Sequence, residues 1–382
     1  MAEPRSIQSA NIAERLLGNL ATRLPEEIRL PLISVIVTAY NAERYVRATL
    51  ESIAAQQYEH FECILVDDGS KDGTLAVIEA FLAERQDPRF TLVRHEGNKG
   101  QLSGQITGLR ASSGTFVTYV DADDILLPDC LELHLAVHLG CEPIVAMTCL
   151  DSATIDENNV LLAGHHREIH PLLWSWLYPS PLETTVDIFG QSNICRIVPP
   201  SAANAIVLSD QYYWTTQSFM MYRRDFLELI LPDETALFRV CADYYLSRMT
   251  HAFNTTILVS RAGGAYRLHS ANSFTHRPLT SADQNSGDSV LFAWQAVELG
   301  KLASKVIMER FERFAALYGE YDVARALLGL PRRYRPAVFG LIRRRLGTRA
   351  SMKVYIVAQI SQRVAKLRAS CHTAARTIWA GL

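Results

Sequence analysis

Between residues 32 and 124 four apolar runs rich in β-branched residues alternate with segments whose apolar residues recur at helical spacing. "LISVIVTAYN" (32–41) precedes "AERYVRATLESIAAQQ" (42–57), in which Tyr45, Val46, Leu50, Ile53 and Ala54 fall on one helix face. "FECILVDDGS" (61–70) precedes "KDGTLAVIEAFLAER" (71–85), and "FTLVRH" (90–95) precedes "GQLSGQITGLRASSG" (100–114). "TFVTYVDADD" (115–124) is the fourth run. A strand that is apolar on both sides needs cover on both faces, and crossover helices between parallel strands supply it. The alternation predicts an α/β fold: a doubly wound, mostly parallel sheet flanked by helices. In such sheets ligands bind beyond the carboxyl ends of the strands.

Two acidic clusters fall at those ends, Asp67-Asp68 and Asp121, Asp123 and Asp124. Like charges this close repel and raise each other's pKa unless something positive lies between them. Either water screens them in a loop, or the site holds a cation. A lone DxD triplet is usually a solvated loop, and "DDGS" is a good turn and helix-cap sequence. Two clusters ending strands of one alternating unit favour a shared crevice over two unrelated loops. Neither GxGxxG after the first strand nor GxxxxGK[ST] is present, which argues against a Rossmann dinucleotide site and a P-loop. Phosphates bound here would then be held through a hard cation, Mg²⁺ or Mn²⁺, on one or two carboxylates.

With 382 residues, 48% of them hydrophobic, the chain has the size of one large domain with an appendage, or of two. Its seven cysteines (63, 130, 141, 149, 195, 241 and 371) include no CxxC pair, which suits free thiols in a reducing compartment. Met1 to Ser9 is polar and unlike a signal peptide, and no apolar run approaches the ~20 residues of a membrane span. The net charge of -2 hides an asymmetry: residues 331–382 hold 12 Lys and Arg and no Asp or Glu. "AVFGLIRRRLGTRASMKVYIVAQISQRVAKLRASCHTAARTIWAGL" interleaves basic with apolar residues, a pattern suited to an anionic membrane surface. A packed helical pair, an oligomer contact and nucleic acid compete as readings, although no nucleic-acid motif accompanies the tail.

"ISVIVTAYNAERYVRATLESIAAQQYEHFECILVDDGSKDGT" followed by "TFVTYVDADDILLPDCLE" resembles the family-2 glycosyltransferases of GT-A fold, closely over about residues 32–140 and loosely to about 275. The resemblance implies transfer of a sugar from a nucleotide-diphosphate sugar to a hydroxyl acceptor, with inversion and with Mn²⁺ or Mg²⁺. It implies that Thr38, Tyr40, Asp68 and Asp121 hold the nucleotide-sugar. Asp121 and Asp123 match the DxD motif and are the implied metal residues, Asp123 more directly than Asp121. Glu43 and Lys99 lie near this pattern without an assigned role. "LFRVCADYYLSRM" resembles the segment that carries the family's catalytic base, here Asp243, with Ala242 in place of the first acid of the usual pair. The competing reading of Asp243 is a helix cap or a partner of Arg239 or Arg248. "YRLHSANSF" (266–274) resembles the family's Y-R-x-H segment and adds His269 as a metal or diphosphate contact, with Ser273 nearby.

Arg223 and Arg224 read either as phosphate contacts or as solvated charges at a helix start. "NIAERLLGNLATRL" (11–24) reads as a short helix, and the Trp- and Tyr-rich 141–218 stretch either as ordinary core and loop aromatics or as a surface that stacks on an acceptor's sugar or lipid. The expected organisation is an N-terminal helical segment over 1–30, a GT-A domain over 31–280 and a helical C-terminal extension over 281–382, basic from 331. Residues 31–140 would form the nucleotide-sugar half and 141–280 the acceptor and catalytic half. Absence of membrane spans and of a Q-x-x-R-W signature points to single-sugar transfer in the cytoplasm or at the inner face of the cytoplasmic membrane. The acceptor would be a lipid-linked or cell-surface glycan precursor. The alternative is a non-catalytic nucleotide- or membrane-binding scaffold. Nucleotidyl transfer lacks the glycine-rich basic loop it would need.

Overall fold

Strand β1 (Ile33–Ala39) shows why the sheet sits in the middle of the molecule. Its residues alternate between two cores: Ile33, Val35, Val37 and Ala39 belong to one and Ile36 to the other. The first core is closed by α1 (Val46–Ala54) and α2 (Thr74–Arg85) through Val46, Leu50, Ile53, Ile78 and Phe81. The second is closed by α3 (Gln101–Arg110) through Leu102, Ile106 and Leu109. Helices on both faces of one sheet are the doubly wound arrangement that the alternating runs require. Each fully buried Val, Ile, Leu or Phe contributes roughly 1.5–3 kcal/mol relative to exposure. The close seat of α3 on β1 depends on Gly104 and Gly108, where a Cβ would come within 2.4 Å of Thr38 Cγ2 and 2.2 Å of Ile36 Cγ2.

The structure, a computed structural model, describes residues 29–140, 144–164, 182–188, 191–198, 215–233, 238–270, 272 and 298–328, with isolated positions between 340 and 348. The helix expected over 11–24, most of the Trp- and Tyr-rich stretches of 141–218 and most of the basic tail lie outside the described residues. In the sheet, β3 (Phe90–Arg94), β2 (Phe61–Asp67), β1 and β4 (Phe116–Asp121) are neighbours in that order and all parallel. Beyond β4 the sheet is mixed. β10 (Met220–Arg223) runs antiparallel to both β4 and β6 (Met147–Asp156), and β6 is parallel to β11 (Thr256–Leu268). β9 (Gln191–Val198) and β8 (Leu182–Ile188) complete the order as an antiparallel pair. Two short strands branch off: β5 (Ile125–Leu126) pairs with β11, and β7 (Leu161–Ala163) pairs with β6. The β5 pairing ties the loop after β4 to the far end of β11.

Helix α4 (Cys130–Gly140) follows β5 and is buried almost throughout. Helices α5 (Arg224–Ile230) and α6 (Ala242–Phe253) lie in the α3-side core. The helices after residue 297 share that core. Helix α7 (298–309), α8 (Phe311–Tyr318) and α9 (Glu320–Leu328) contribute Leu302, Val306, Phe314, Val323 and Leu327 to it. The rings of Phe253 and Phe314 stand 4.8 Å apart, and Phe253 and Tyr318 5.3 Å. Arg310 Nη1 donates to the carbonyls of Glu228 and Leu229, supplying partners that the end of α5 otherwise lacks. The 298–328 part of the extension is therefore packed on the α/β body as part of its core. No helix among the described residues is long and apolar enough to cross a membrane.

Phe314 is fully buried in this joint. Phe314→Ala is expected to lower the stability of the whole chain by about 3–5 kcal/mol. Denaturant unfolding should show one shifted transition, not early loss of a separate helical unit.

Candidate active site

The parallel register sets the crevice. Thr38 stands opposite Asp121, and Ala39 opposite Asp67, so the acidic ends of β2 and β4 flank the end of β1. Tyr40, the next residue, is 44% exposed at the mouth. Thr38 Oγ1 is buried and meets no hydrogen-bond partner among the described residues. The loops after β1 and β2 are laced together. Asn41 N donates to Ser70 Oγ, Lys71 N to Asn41 Oδ1, Ala42 N to Thr74 Oγ1 and Gly73 N to Glu43 Oε2. Glu43 is thus a structural tie. Gly69, at φ +72°, passes so close to Gly97 that a Cβ would lie 2.5 Å from its Cα.

Asp68 is 1% exposed. Its Oδ1 accepts from the Nδ1–H of His95 at 2.7 Å and the Lys99 amide at 2.9 Å, and its Oδ2 accepts from the Gly100 amide at 2.8 Å. In this structure Asp68 orders the 97–100 loop and, through it, the start of α3. Lys99 contributes its backbone here, and its side chain is exposed.

Asp121 is held by two glutamines. Gln101 Nε2 (2.9 Å) and Gln217 Nε2 (2.5 Å) both donate to its Oδ1, and Gln105 Nε2 donates to Gln217 Oε1. No donor among the described residues occupies Oδ2. Burial, then the charges of Asp123 and Asp243, push the Asp121 carboxyl up to about 8 against the pull of the two amides. Asp124 is wholly buried, accepting from Ser218 Oγ and the Arg267 amide, and burial drives its pKa well upward. It shapes the loop rather than facing the crevice. Asp123 is the more open member, and its Oδ2 lies 2.9 Å from His269 Nε2. The His269 ring stacks at a tilt on Tyr45, with centroids 4.6 Å apart. Arg267, 2% exposed, donates through Nε to the Asp123 carbonyl and through Nη1 to the Asp156 carbonyl and Asn159 Oδ1. Its guanidinium sits 5.1 Å from the Tyr45 ring centre, and burial lowers its pKa.

Asp243 lies in the first turn of α6, where the helix dipole favours a negative charge. Its charge adds, after burial and Asp123, to what raises the Asp121 carboxyl. Arg239 bonds Asn98 rather than Asp243. Arg223 and Arg224 lie elsewhere. Strand β10 is antiparallel to β4, so Arg223 stands opposite Phe116, at the amino end of β4 and away from the crevice. Arg224 donates there to the carbonyls of Gly114 and Leu109 and to Ser34 Oγ and Ser112 Oγ. The phosphate-contact reading of this pair is corrected: Arg224 is a staple across the closed edge of the sheet, and Arg223 pairs with Asp225. Ser273 lies outside the described residues.

Gln101, Gln105, Gln217, His95 and Arg267 were not foreseen. Gln101 and Gln105 stand four apart on one helical face of "GQLSGQITGLR", a polar stripe that could have marked them. Arg267 is the arginine of the Y-R-x-H segment, whose pattern marks the position but not the role, and Gln217 carries no such signal.

Asp121, Asp123 and His269 are hard or borderline ligand types suited to a divalent cation. Among the described residues no group of three or more acidic, His or Cys side chains closes around an ion. The donor set fits a cation that completes its shell with substrate and water oxygens.

A doubly wound sheet with Thr38, Asp121, Asp123 and His269 at its carboxyl edge is an arrangement suited to a phosphate-bearing ligand held with a cation. Residues 34–230 match the family model of glycosyl transferase family 2, and the chain belongs to that family. An uncharacterized glycosyltransferase of Nostoc (alr2836) is 25% identical over 254 residues, 66% of this chain and 70% of its own. WfgD of Escherichia coli, a UDP-Glc:alpha-D-GlcNAc-diphosphoundecaprenol beta-1,3-glucosyltransferase, is 33% identical over 108 residues, 28% of this chain and 41% of its own. Several curated relatives align over only about a third of their own length, for example 31% and 30%. The solved structure of residues 1–349 of S. aureus TarS superposes with a TM-score of 0.43 at 18% identity, covering 87% of this chain and 91% of that one.

The raised Asp121 pKa has a stability consequence. Between about pH 4, where an unfolded aspartate ionises, and about 8, the folded state holds the extra proton, so stability falls as pH rises. Above 8 the penalty is complete. With chelator present, Asp121→Asn should therefore raise the melting temperature at pH 8 more than at pH 5. Equal shifts at both values would contradict the assignment.

Proposed function

We propose that the chain transfers one glycosyl unit from a nucleotide-diphosphate sugar to a hydroxyl acceptor, with Asp243 as the base. The observation that carries this reading is the Gln101 bridge, from Asp121 Oδ1 to the Ala242 amide, which ties the helix start that bears Asp243 to the acidic end of β4. Thr38, whose hydroxyl is unpartnered among the described residues, and Tyr40, which is exposed, receive the nucleoside. Asp121, whose Oδ2 meets no donor among the described residues, takes the adjoining sugar or phosphate groups. Asp68 supports the same wall by holding the 97–100 loop. Asp123 and His269 would hold Mn²⁺ or Mg²⁺, which when bound offsets the charge developing on the leaving diphosphate.

The acceptor hydroxyl gives its proton to Asp243 while its oxygen bonds the anomeric carbon. The bond from that carbon to the diphosphate oxygen breaks, and the electron pair leaves with the nucleoside diphosphate. Attack opposite the leaving group inverts the anomeric centre. A positioned base contributes about 10²–10⁴-fold to such a step. We assign the acceptor to lipid-linked or cell-surface glycan precursors, a reading supported by the acceptor in WfgD's name. The basic 331–382 segment suits work at an anionic membrane face.

Calorimetric titration with nucleoside diphosphates and their sugars, in Mn²⁺, Mg²⁺ or chelator, tests the proposal. One nucleotide should bind with metal and lose that dependence in Asp123→Ala. Asp243→Asn should bind it normally and lose about 10²–10⁴-fold in turnover. Undiminished turnover in Asp243→Asn, or no nucleotide bound under any condition, would reject the reading.

A further inference from the structure

Gln101, the first residue of α3, bridges two groups far apart in sequence. Its Nε2 donates to Asp121 Oδ1 at 2.9 Å, and its Oε1 accepts from the Ala242 amide at 3.0 Å. That amide is one of the first-turn N–H groups that a helix cannot satisfy by itself. Normally a side chain at the preceding residue accepts it or a neighbour. Here the preceding residue is Cys241, which makes no side-chain cap and sits in the left-handed region at φ 59°, ψ 47°. A non-glycine residue there is strained, and it persists where its surroundings over-determine it. The surroundings come from the same helix start: Gln101 N donates to the Arg239 carbonyl at 2.9 Å and Leu102 N to that of Phe238 at 3.2 Å. Immediately after Ala242 comes Asp243. Asp68, through the Lys99 and Gly100 amides, anchors the other side of this helix start.

We propose that Gln101 is a positioning residue for transfer: one side-chain amide sets the start of α6, and with it Asp243, at a fixed place relative to Asp121. The proposal rests on the reading of Asp243 as the base. Glutamine suits the task because it donates to a carboxylate at one atom and accepts a peptide N–H at the other. Glutamate can only accept, and would face Asp121 with a like charge. Methionine has similar length and makes neither bond well. The tie joins the donor-side carboxylate to the acceptor-side carboxylate, so its loss should misplace the reacting groups while leaving the nucleotide wall intact. Misplacement on the scale of 1 Å costs a transfer step on the order of 10²-fold.

The test measures release of nucleoside diphosphate from a panel of UDP-, GDP- and dTDP-sugars with Mn²⁺, for wild type, Gln101→Met, Gln101→Glu and Asp243→Asn. Calorimetry with UDP and GDP and thermal melts accompany it. Expected is a fall in kcat of about 10–100-fold for Gln101→Met, with KM and diphosphate affinity within about 3-fold of wild type. Gln101→Glu still accepts the Ala242 amide, yet should be as impaired or more. Wild-type turnover in Gln101→Glu would show that capping α6 is all the side chain does and would overturn the proposal. So would parallel loss of kcat, nucleotide affinity and melting temperature in both variants, the mark of a structural role alone. If wild type turns over no sugar, or Asp243→Asn matches it, the base reading fails and this proposal falls with it. If those two behave as expected while both Gln101 variants match wild type, only the tie is lost.

Discussion

Carboxylates crowded at a half-buried edge need dipoles or positive charge around them, and in this chain that need draws together segments from the whole fold. Asp121 is met by amides from α3 and from the segment before β10. Asp124 is met by Ser218 and the backbone of β11. Asp123 is met by His269, and Arg267 holds its carbonyl. Asp68 is met by His95 and two amides of the 97–100 loop. Each compensation is also a positional constraint. The same bonds that make the charges tolerable place β11, α3 and the start of α6 around one crevice.

The two edges of the parallel strands do different work. At the amino edge Arg224 satisfies two carbonyls and two hydroxyls from three segments. At the carboxyl edge Thr38 Oγ1 is unpartnered among the described residues, and no donor there meets Asp121 Oδ2. The C-terminal helices belong to the stabilising part of this division. They bury Phe314 against Phe253 and cap α5 through Arg310, on the core shared with α6.

The first four strands could be read from the chain because β-branched apolar runs and helical spacing are local properties. The sequence motifs single out Thr38, Asp68, Asp121, Asp123, Asp243 and His269, and in the structure His269 Nε2 lies 2.9 Å from Asp123 Oδ2. What local pattern could not supply was long-range register. The reversed direction of β10 is a pairing decision, and it alone moves Arg223 and Arg224 to the closed edge. Gln217 reaches Asp121 and Arg267 reaches the Asp123 loop for the same reason: neighbouring strands, not neighbouring residues, deliver them. Asp68 shows a subtler gap. Its position at the crevice was readable, but its full engagement by the 97–100 loop was not, since that loop's fold depends on Gly69 and Gly97 passing at close range.

The central claim is that the carboxyl edge binds a donor diphosphate with a divalent cation on Asp123. Anomalous diffraction at the manganese edge, from crystals containing Mn²⁺ and the nucleoside diphosphate that binds, tests it most directly. The account predicts one strong peak in bonding contact with the Asp123 carboxylate and with diphosphate oxygens, the nucleoside lying against Thr38 and Tyr40. A diphosphate bound away from this edge, or bound here with no metal on Asp123, would contradict it.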